Sequence, residues 1–234
     1  MADYIVNDGK NEVREVDGVK YRRLAIRTHL ITIEDDIVDV VMKYAPPETL
    51  EPGDIVFIAE KAVGCTQGRA IKLSDIHPRP LARFLSNHVT KTPAGIGLGM
   101  PETMEMALQE VGTPRILLAA AAGALGKLLG RRGWFYVVAG RKAASIDGPC
   151  SYTIPPYNEY VSLAPAEPDE VARRIADAIG YPVAIADLND LGGEILGTSD
   201  PKMDRALLVR ILKDNPLGQE GQQTPMGIIR RVAE

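Results

Sequence analysis

Segments patterned as strands alternate along this chain with segments patterned as helices, and this alternation constrains the fold more than any other feature. Apolar and β-branched runs predict strands at Val19–Ile26, Asp54–Val63, Trp134–Ala139 and Val183–Ala186, with a short apolar strand in the closing segment. Apolar residues at helical spacing predict helices at Glu34–Tyr44, Pro80–His88, Pro101–Val111, Ile116–Leu129, Pro168–Ile179 and Met203–Leu212. Interleaved strands and helices predict a mixed α/β fold, with the Ala- and Gly-rich helix Ile116–Leu129 buried in it.

Composition places the chain among ordinary globular proteins. Acids outnumber bases 31 to 27, a net charge of −4, and 45% of the 234 residues are apolar. This balance excludes a disordered chain and argues against nonspecific binding to nucleic acid. The two cysteines, Cys65 and Cys150, are too few for a disulfide scaffold or a zinc site built on cysteines.

No segment predicts a membrane protein. The opening residues are rich in acids and have no apolar stretch typical of a signal peptide. The most apolar run, Ile116–Leu129, is too short for a span and is interrupted by Lys127. We therefore expect a cytoplasmic protein with reduced cysteines and no membrane partner.

A first candidate site lies at the end of the predicted strand Asp54–Val63. There a lysine, Lys61, precedes a glycine-bearing turn predicted at Gly64–Arg69. Backbone N–H groups of such a turn can bind phosphate, with Lys61 as a point charge and Arg69 as a bidentate donor. The alternative is a strand end with solvated charges.

A second candidate site is a set of acids and amides. Asp147 follows the apolar strand predicted at Trp134–Ala139, and Asp187, Asn189 and Asp190 follow the predicted strand Val183–Ala186. Carboxylate oxygens suit Mg²⁺ or Mn²⁺ bound together with phosphates, and the glycines at 192–193 would let a turn approach a ligand. The alternative is ordinary turn chemistry, which uses the same residue types.

Other motifs carry little chemistry. Gly95, Gly97 and Gly99 match a dinucleotide fingerprint only loosely and lack a preceding strand, and Gly123–Lys127 is not a P-loop. The three histidines are far apart in sequence, and Ser151 has no nucleophile elbow. The loop of residues 148–168, rich in proline, is long enough to suggest a functional role.

In their order, these segments resemble the coenzyme F420-0:L-glutamate ligase family. The resemblance begins at Arg27–Thr32 with Asp35–Ile37, and continues through Gly53–Val56 to Lys61 and Gly68–Arg69. It then takes in Ser145–Asp147, Leu163–Asp169, Ile185–Asp187, Gly218–Gln219 and Thr224–Arg230. No single motif is very specific, but their shared order is.

The resemblance implies a GTP- and metal-dependent ligase that adds glutamate to a carboxylate acceptor such as coenzyme F420-0 through an acyl phosphate. It implies a two-lobed fold with mixed sheets flanked by helices over residues 19–234, after an N-terminal extension of residues 1–18, and a homodimer. Asp147 and Asp187 would be catalytic and bind Mg²⁺ or Mn²⁺, with Asp190 and Gln219 as further ligands. Nucleotide-binding residues would be Lys61, Gly64, Gln67, Gly68 and Arg69.

Some positions depart from the family pattern. Gly64 and Cys65 stand where the family has Ser and Lys, Gln67 replaces Glu, and Leu188 replaces a threonine. The alternatives are therefore a ligase of the same fold with another acceptor, or a nucleotide- and metal-binding protein without turnover. A plain α/β domain without a site fits the shared motif order least well.

Overall fold

The computed structural model describes residues 3–89, 97–131, 133–190 and 192–232. Its strands are β1 (Tyr4–Ile5), β2 (Val13–Val16), β3 (Val19–Ile26), β4 (Ile55–Ala59), β5 (Ala70–Lys72), β6 (Tyr160–Ser162), β7 (Val183–Asn189), β8 (Gly192–Thr198) and β9 (Met226–Arg231). Its helices are α1 (Ile37–Tyr44), α2 (Glu60–Thr66), α3 (Pro80–Ser86), α4 (Pro101–Glu110), α5 (Thr113–Leu128), α6 (Trp134–Ala139), α7 (Arg141–Ala144), α8 (Pro168–Ile179) and α9 (Arg205–Leu212). The mixed α/β fold is confirmed.

The chain forms two compact units. Unit 1 consists of residues 1–68, 152–154 and 165–234, and unit 2 of residues 69–151 and 155–164. Unit 1 contains a mixed sheet in the order β1-β3-β9-β4-β7-β8, with β2 also paired to β3. Residues 1–18 thus supply two strands to this sheet.

Alternating side chains of the unit 1 sheet pack into two different hydrophobic clusters, one on each face of the sheet. On β4, Val56 and Ile58 pack with apolar residues of α1 and α8, whereas Phe57 packs with Leu208 and Ile211 of α9. This alternation is the period of two that a strand buried on both faces requires. The sheet therefore lies between a layer containing α1 and α8 and a layer containing α9.

Capping side chains set the starts of two helices. Asp36 accepts a hydrogen bond from the backbone N–H of Val38 (2.7 Å), and Asp204 from that of Leu207 (2.9 Å). Helices α1 and α9 therefore begin three and two residues later than the sequence predicts, because these aspartates serve as N-caps.

Two strand predictions were wrong. Residues 60–63 belong to α2, and their apolar side chains reach the unit 1 core from a helix; short apolar runs fit either structure. Trp134–Ala139 is helix α6, which begins after Gly133 and packs on α5, with Phe135 against Gly123. Packing on α5 thus overrides the strand preference of its aromatic and β-branched residues.

Unit 2 is mainly helical, and its core is formed by apolar residues of α3 to α7 with the short β5–β6 pair. The prediction that the helix at Ile116–Leu129 is buried was wrong. Only one stripe of α5, which includes Ile116 and Ala119, is buried, while Leu118 and Leu128 are 66% and 85% exposed. A run of leucine and alanine contains no signal for which face meets the core.

Candidate functional site

The carboxyl ends of three strands meet at one edge of the unit 1 sheet. Strands β4 and β7 pair in parallel, ending at the pair Ala59 and Ala186. Strand β3 runs in the same direction, because both β3 and β4 are antiparallel to β9. Ligands of α/β proteins commonly bind beyond the carboxyl ends of such strands. Lys61 follows β4, and Asp187 follows the part of β7 that pairs with β4, so both lie at the edge where a ligand is expected.

Lys61 is exposed in the first turn of α2. The glycine turn predicted after it was wrong for its first residues, because Gly64 and Cys65 are buried within this helix. A helical N–H group normally points to the carbonyl four residues earlier, so Gly64 does not contribute to a phosphate-binding turn of the predicted kind. Its role in nucleotide binding stays a prediction that rests on the resemblance alone.

The turn itself is confined to Gln67 and Gly68. The Gln67 amide donates to the carbonyl of Ala166 (3.0 Å) and accepts from its N–H (2.8 Å), so it clamps the loop before α8. Gly68 has φ +69°, and a Cβ there would lie 3.0 Å from Cδ1 of Ile33. Both residues therefore have a structural role in addition to their predicted role in nucleotide binding.

Arg69 belongs to unit 2, where its guanidinium contacts protein groups. Its Nε donates to the carbonyl of Ala164, and its Nη2 donates to Oε1 of Glu110 (2.6 Å). The ammonium of Lys142 lies 3.9 Å from the same Glu110 oxygen. A phosphate at Arg69 would have to compete with this carboxylate.

The structure brings two of the predicted metal ligands together in unit 1. The N–H of Asp190 donates to Oε1 of Gln219 (3.2 Å). The Asp190 carboxylate forms an ion pair with Lys10 (2.6 Å), whose ammonium also donates to the carbonyl of Asp214 (2.9 Å). Asp187 lies within β7 opposite Glu194 of β8, a strand that the sequence analysis missed.

Asp147 lies in unit 2. It follows α7 rather than a strand, which corrects the prediction for its surroundings. Its backbone exchanges two hydrogen bonds with Ser162 of β6, at 3.0 and 2.9 Å. This bridge holds the main chain of Asp147 against Ser162, which lies in the loop of residues 148–168. Most of that loop has no regular secondary structure, as expected.

The part of the chain that the structure describes contains no group of three or more His, Cys, Asp or Glu residues placed to hold a metal ion. The oxygen donors at 187, 190 and 219 have the chemistry that Mg²⁺ or Mn²⁺ prefers. Lys10, however, already pairs with Asp190. The described arrangement therefore does not by itself fit a metal centre.

Sequence reasoning missed a polar cluster beyond the carboxyl end of β3. The ring of His29 contacts Tyr44 Oη at Nδ1 and Asp35 Oδ1 at Nε2, both at 2.9 Å. The backbone N–H of His29 also donates to Tyr44 Oη (2.9 Å), so the hydroxyl is placed to donate to Nδ1 and the ring proton to sit on Nε2.

Asp35 completes this cluster. The backbone N–H of Thr32 and the ring of His29 both bind its carboxylate and hold the pKa of Asp35 below its usual value. The spacing of His29 and Asp35 is visible in the sequence, but a histidine six residues before an aspartate has no distinctive pattern. Only the turn between β3 and α1 brings them together.

Comparisons with known proteins add one finding. The sequence model of the family described as F420-0:Gamma-glutamyl ligase matches residues 25–186, which is 162 of the 234 residues. The matched range extends from the end of β3 to the last parallel pair of β7, and it contains Lys61 and Asp147. A search of curated proteins found no match. Gly95 of the loosely matching dinucleotide fingerprint lies outside the described residues, which omit residues 90–96.

Proposed function

The chain belongs to the F420-0:gamma-glutamyl ligase family, and on that premise we propose that it joins L-glutamate through an amide bond to a carboxylate acceptor such as coenzyme F420-0. The family match over residues 25–186 carries this proposal. Family membership makes the protein a ligase; its nucleotide, metal and acceptor are the proposed part. GTP is the proposed energy source and Mg²⁺ or Mn²⁺ the proposed metal.

The proposed reaction has two steps. The acceptor carboxylate attacks the γ-phosphoryl group of GTP to form an acyl phosphate and GDP, and the glutamate amine then displaces phosphate to form the amide. Such a reaction needs positioning and charge neutralisation more than a protein nucleophile. The exposed position of Lys61, where β4 ends, supports a role for its ammonium in neutralising phosphate charge.

The aspartates with proposed catalytic roles belong to both units of the chain. We propose that Asp187 and Asp190 in unit 1, and Asp147 in unit 2, are required for turnover, with Gln219 as a further oxygen donor. Because the described residues form no ready metal centre, the metal requirement rests on family membership. Titration of activity with Mg²⁺ and Mn²⁺ tests it directly.

A second candidate is a ligase of this family with another carboxylate acceptor. Two departures from the family pattern, Gly64 and Cys65, are buried in α2. Cys65 stands where the family has a lysine, so the positive charge of that lysine is absent from this chain. Loss of a cation beside the proposed nucleotide-binding residues bears on the choice of GTP, so the nucleotide is tested together with the acceptor.

The deciding experiment measures phosphate release from GTP or ATP with each metal, in the presence of glutamate and a panel of acceptors that includes coenzyme F420-0. Phosphate release that requires both glutamate and coenzyme F420-0 supports the first candidate. Phosphate release with another acceptor supports the second. Binding of nucleotide and metal without release under any combination would instead indicate a binding protein. Light scattering gives the molecular mass and tests the homodimer that we propose from the family.

Two variants connect the activity to residues. Lys61→Gln should raise KM for the nucleotide at least tenfold, whereas Lys20→Gln, at an exposed lysine of β3, should leave it unchanged. Asp147→Asn should abolish turnover without loss of helical circular dichroism. Full metal-dependent activity of Asp147→Asn would show that the assignment of this residue is wrong.

A further inference from the structure

Helix α5 is apolar on nearly every side, yet only one stripe of it is covered. Ile116, Ala119 and Gly126 are buried, whereas Leu125 is 50% exposed and Leu128 is 85% exposed. Apolar helices of globular proteins are normally buried on all their apolar faces. The outer side of α5 therefore requires a partner.

The exposed apolar surface extends beyond the helix. Leu129 follows α5 directly and is 60% exposed, and Val137 on the packed helix α6 is 80% exposed. We call this surface the leucine face; its residues are Leu117, Leu118, Leu125, Leu128, Leu129 and Val137. Several large exposed apolar side chains on one helical hairpin are typical of an interaction surface.

The segment that carries the leucine face has an unusual charge. Residues 111–146 contain six basic residues and no acidic one, although the whole chain carries a net charge of −4. The rest of the chain therefore has 21 basic and 31 acidic residues, a net charge of −10. The basic residues of the segment are Arg115, Lys127, Arg131, Arg132, Arg141 and Lys142.

Two cations of this segment have described hydrogen bonds to neutral groups. Arg115 donates to the carbonyl of Val138 (2.9 Å) and Lys127 to the carbonyl of His88 (2.8 Å), both neutral groups. Lys142 lies 3.9 Å from Glu110, which already binds Arg69. A partner that offers apolar contact together with negative charge therefore complements both the exposed leucines and the net positive charge of this segment.

In contrast to the expectation of no membrane partner, we propose that the leucine face docks on the surface of an anionic phospholipid membrane. Hydrocarbon chains would take up the leucines, and the headgroups would neutralise the arginines and lysines. A second copy on the same face would bring the same positive charges together, and nucleic acid offers no apolar surface for the leucines. Among the described helices none is long and apolar enough to cross a membrane, so the contact lies along the membrane surface.

Vesicle cosedimentation tests the proposal. The protein should bind vesicles of equal parts phosphatidylcholine and phosphatidylglycerol, and not vesicles of phosphatidylcholine alone. Leu128→Gln should weaken binding about tenfold, since one leucine loses its burial. Arg131→Glu should weaken it at least fivefold, and added salt should weaken it further.

Matched controls lie outside the segment. Ile33→Gln changes an apolar residue that is 65% exposed, and Lys213→Glu reverses an exposed charge; neither should change vesicle binding. Absence of binding to the anionic vesicles, or equal binding of all variants, would overturn the proposal. Light scattering separates the main rival: if Leu128→Gln turns a dimer into a monomer and vesicles bind neither form, the leucine face belongs to a second copy.

Discussion

Arg230 lies in the closing segment that resembles the family pattern. It forms a buried ion pair with Asp54 in unit 1. Its Nε and Nη2 donate to the two carboxylate oxygens of Asp54, at 2.9 and 2.7 Å. The Asp54 side chain is fully buried and also accepts from the N–H of Glu51 (2.8 Å). The Asp54 carboxylate, hydrogen-bonded to the guanidinium, raises the pKa of Arg230 above its usual value.

Asp54→Ala should therefore lower the free energy of unfolding by about 3 kcal/mol. Breaking a buried ion pair typically costs about 3–5 kcal/mol, and the lower value applies because Arg230 keeps Glu51 as a second partner. At roughly 2–4 °C per kcal/mol for a chain of this size, the melting temperature should fall by about 6–12 °C. Urea unfolding followed by circular dichroism, together with calorimetry, measures both quantities.

Two controls separate the buried pair from its exposed neighbour. Glu51→Gln, at a side chain that is 64% exposed, should cost less than about 1 kcal/mol. The double variant Asp54→Leu with Arg230→Met should recover part of the lost stability, because no charge remains buried without its partner. A loss below about 1 kcal/mol for Asp54→Ala, or no recovery in the double variant, would refute the reasoning.

Other expected outcomes follow from single contacts. Gly227→Ala places a Cβ 2.6 Å from a backbone oxygen and an aromatic ring, so its melting curve should show a loss of about 1–3 kcal/mol, whereas Gly192→Ala, in open space, should change stability by less than about 0.5 kcal/mol. Gln67→Ala removes two hydrogen bonds from the loop before α8 and should cost about 1 kcal/mol in urea unfolding; an unchanged nucleotide Kd in that variant would contradict its predicted nucleotide role. The N–H of Thr32 and the neighbouring histidine lower the pKa of Asp35, so the stability this carboxylate contributes is present above its unfolded pKa of about 4 and is lost as pH falls through the lower folded pKa. A pH series of unfolding curves should show a smaller acid-induced loss for Asp35→Asn than for the wild type, and parallel curves would contradict this assignment.

The sequence predicts the elements whose pattern and caps agree. The helix Pro168–Ile179 has the predicted bounds, because an amphipathic run starts at a proline and stops before Gly180 in the left-handed conformation. Strand β3 was equally predictable. The helix has a clear helical period, and the strand alternates apolar and polar residues over its first half.

Where the period is ambiguous, tertiary packing decided the structure. The apolar run after Ala59 continues as helix α2. Trp134–Ala139 forms a helix that packs on α5, where Gly123 and Gly126 let Phe135 and Trp134 approach closely. The His29 cluster was hidden for a related reason, since its three side chains meet only when the chain turns between β3 and α1. The roles of the predicted aspartates in the reaction remain predictions that biochemical experiments must test.

The insertion of unit 2 within unit 1 has a consequence for synthesis on the ribosome. Every segment of unit 2 is made before β7, β8 and β9, so this unit can complete its core while the sheet of unit 1 still lacks three strands. Until then β4 has neither of its neighbours, because Val56 pairs with Val183 and Ile228, each more than a hundred residues further along the chain. An apolar strand with two unpaired edges is prone to aggregation, so the nascent chain should depend on chaperones most during this interval.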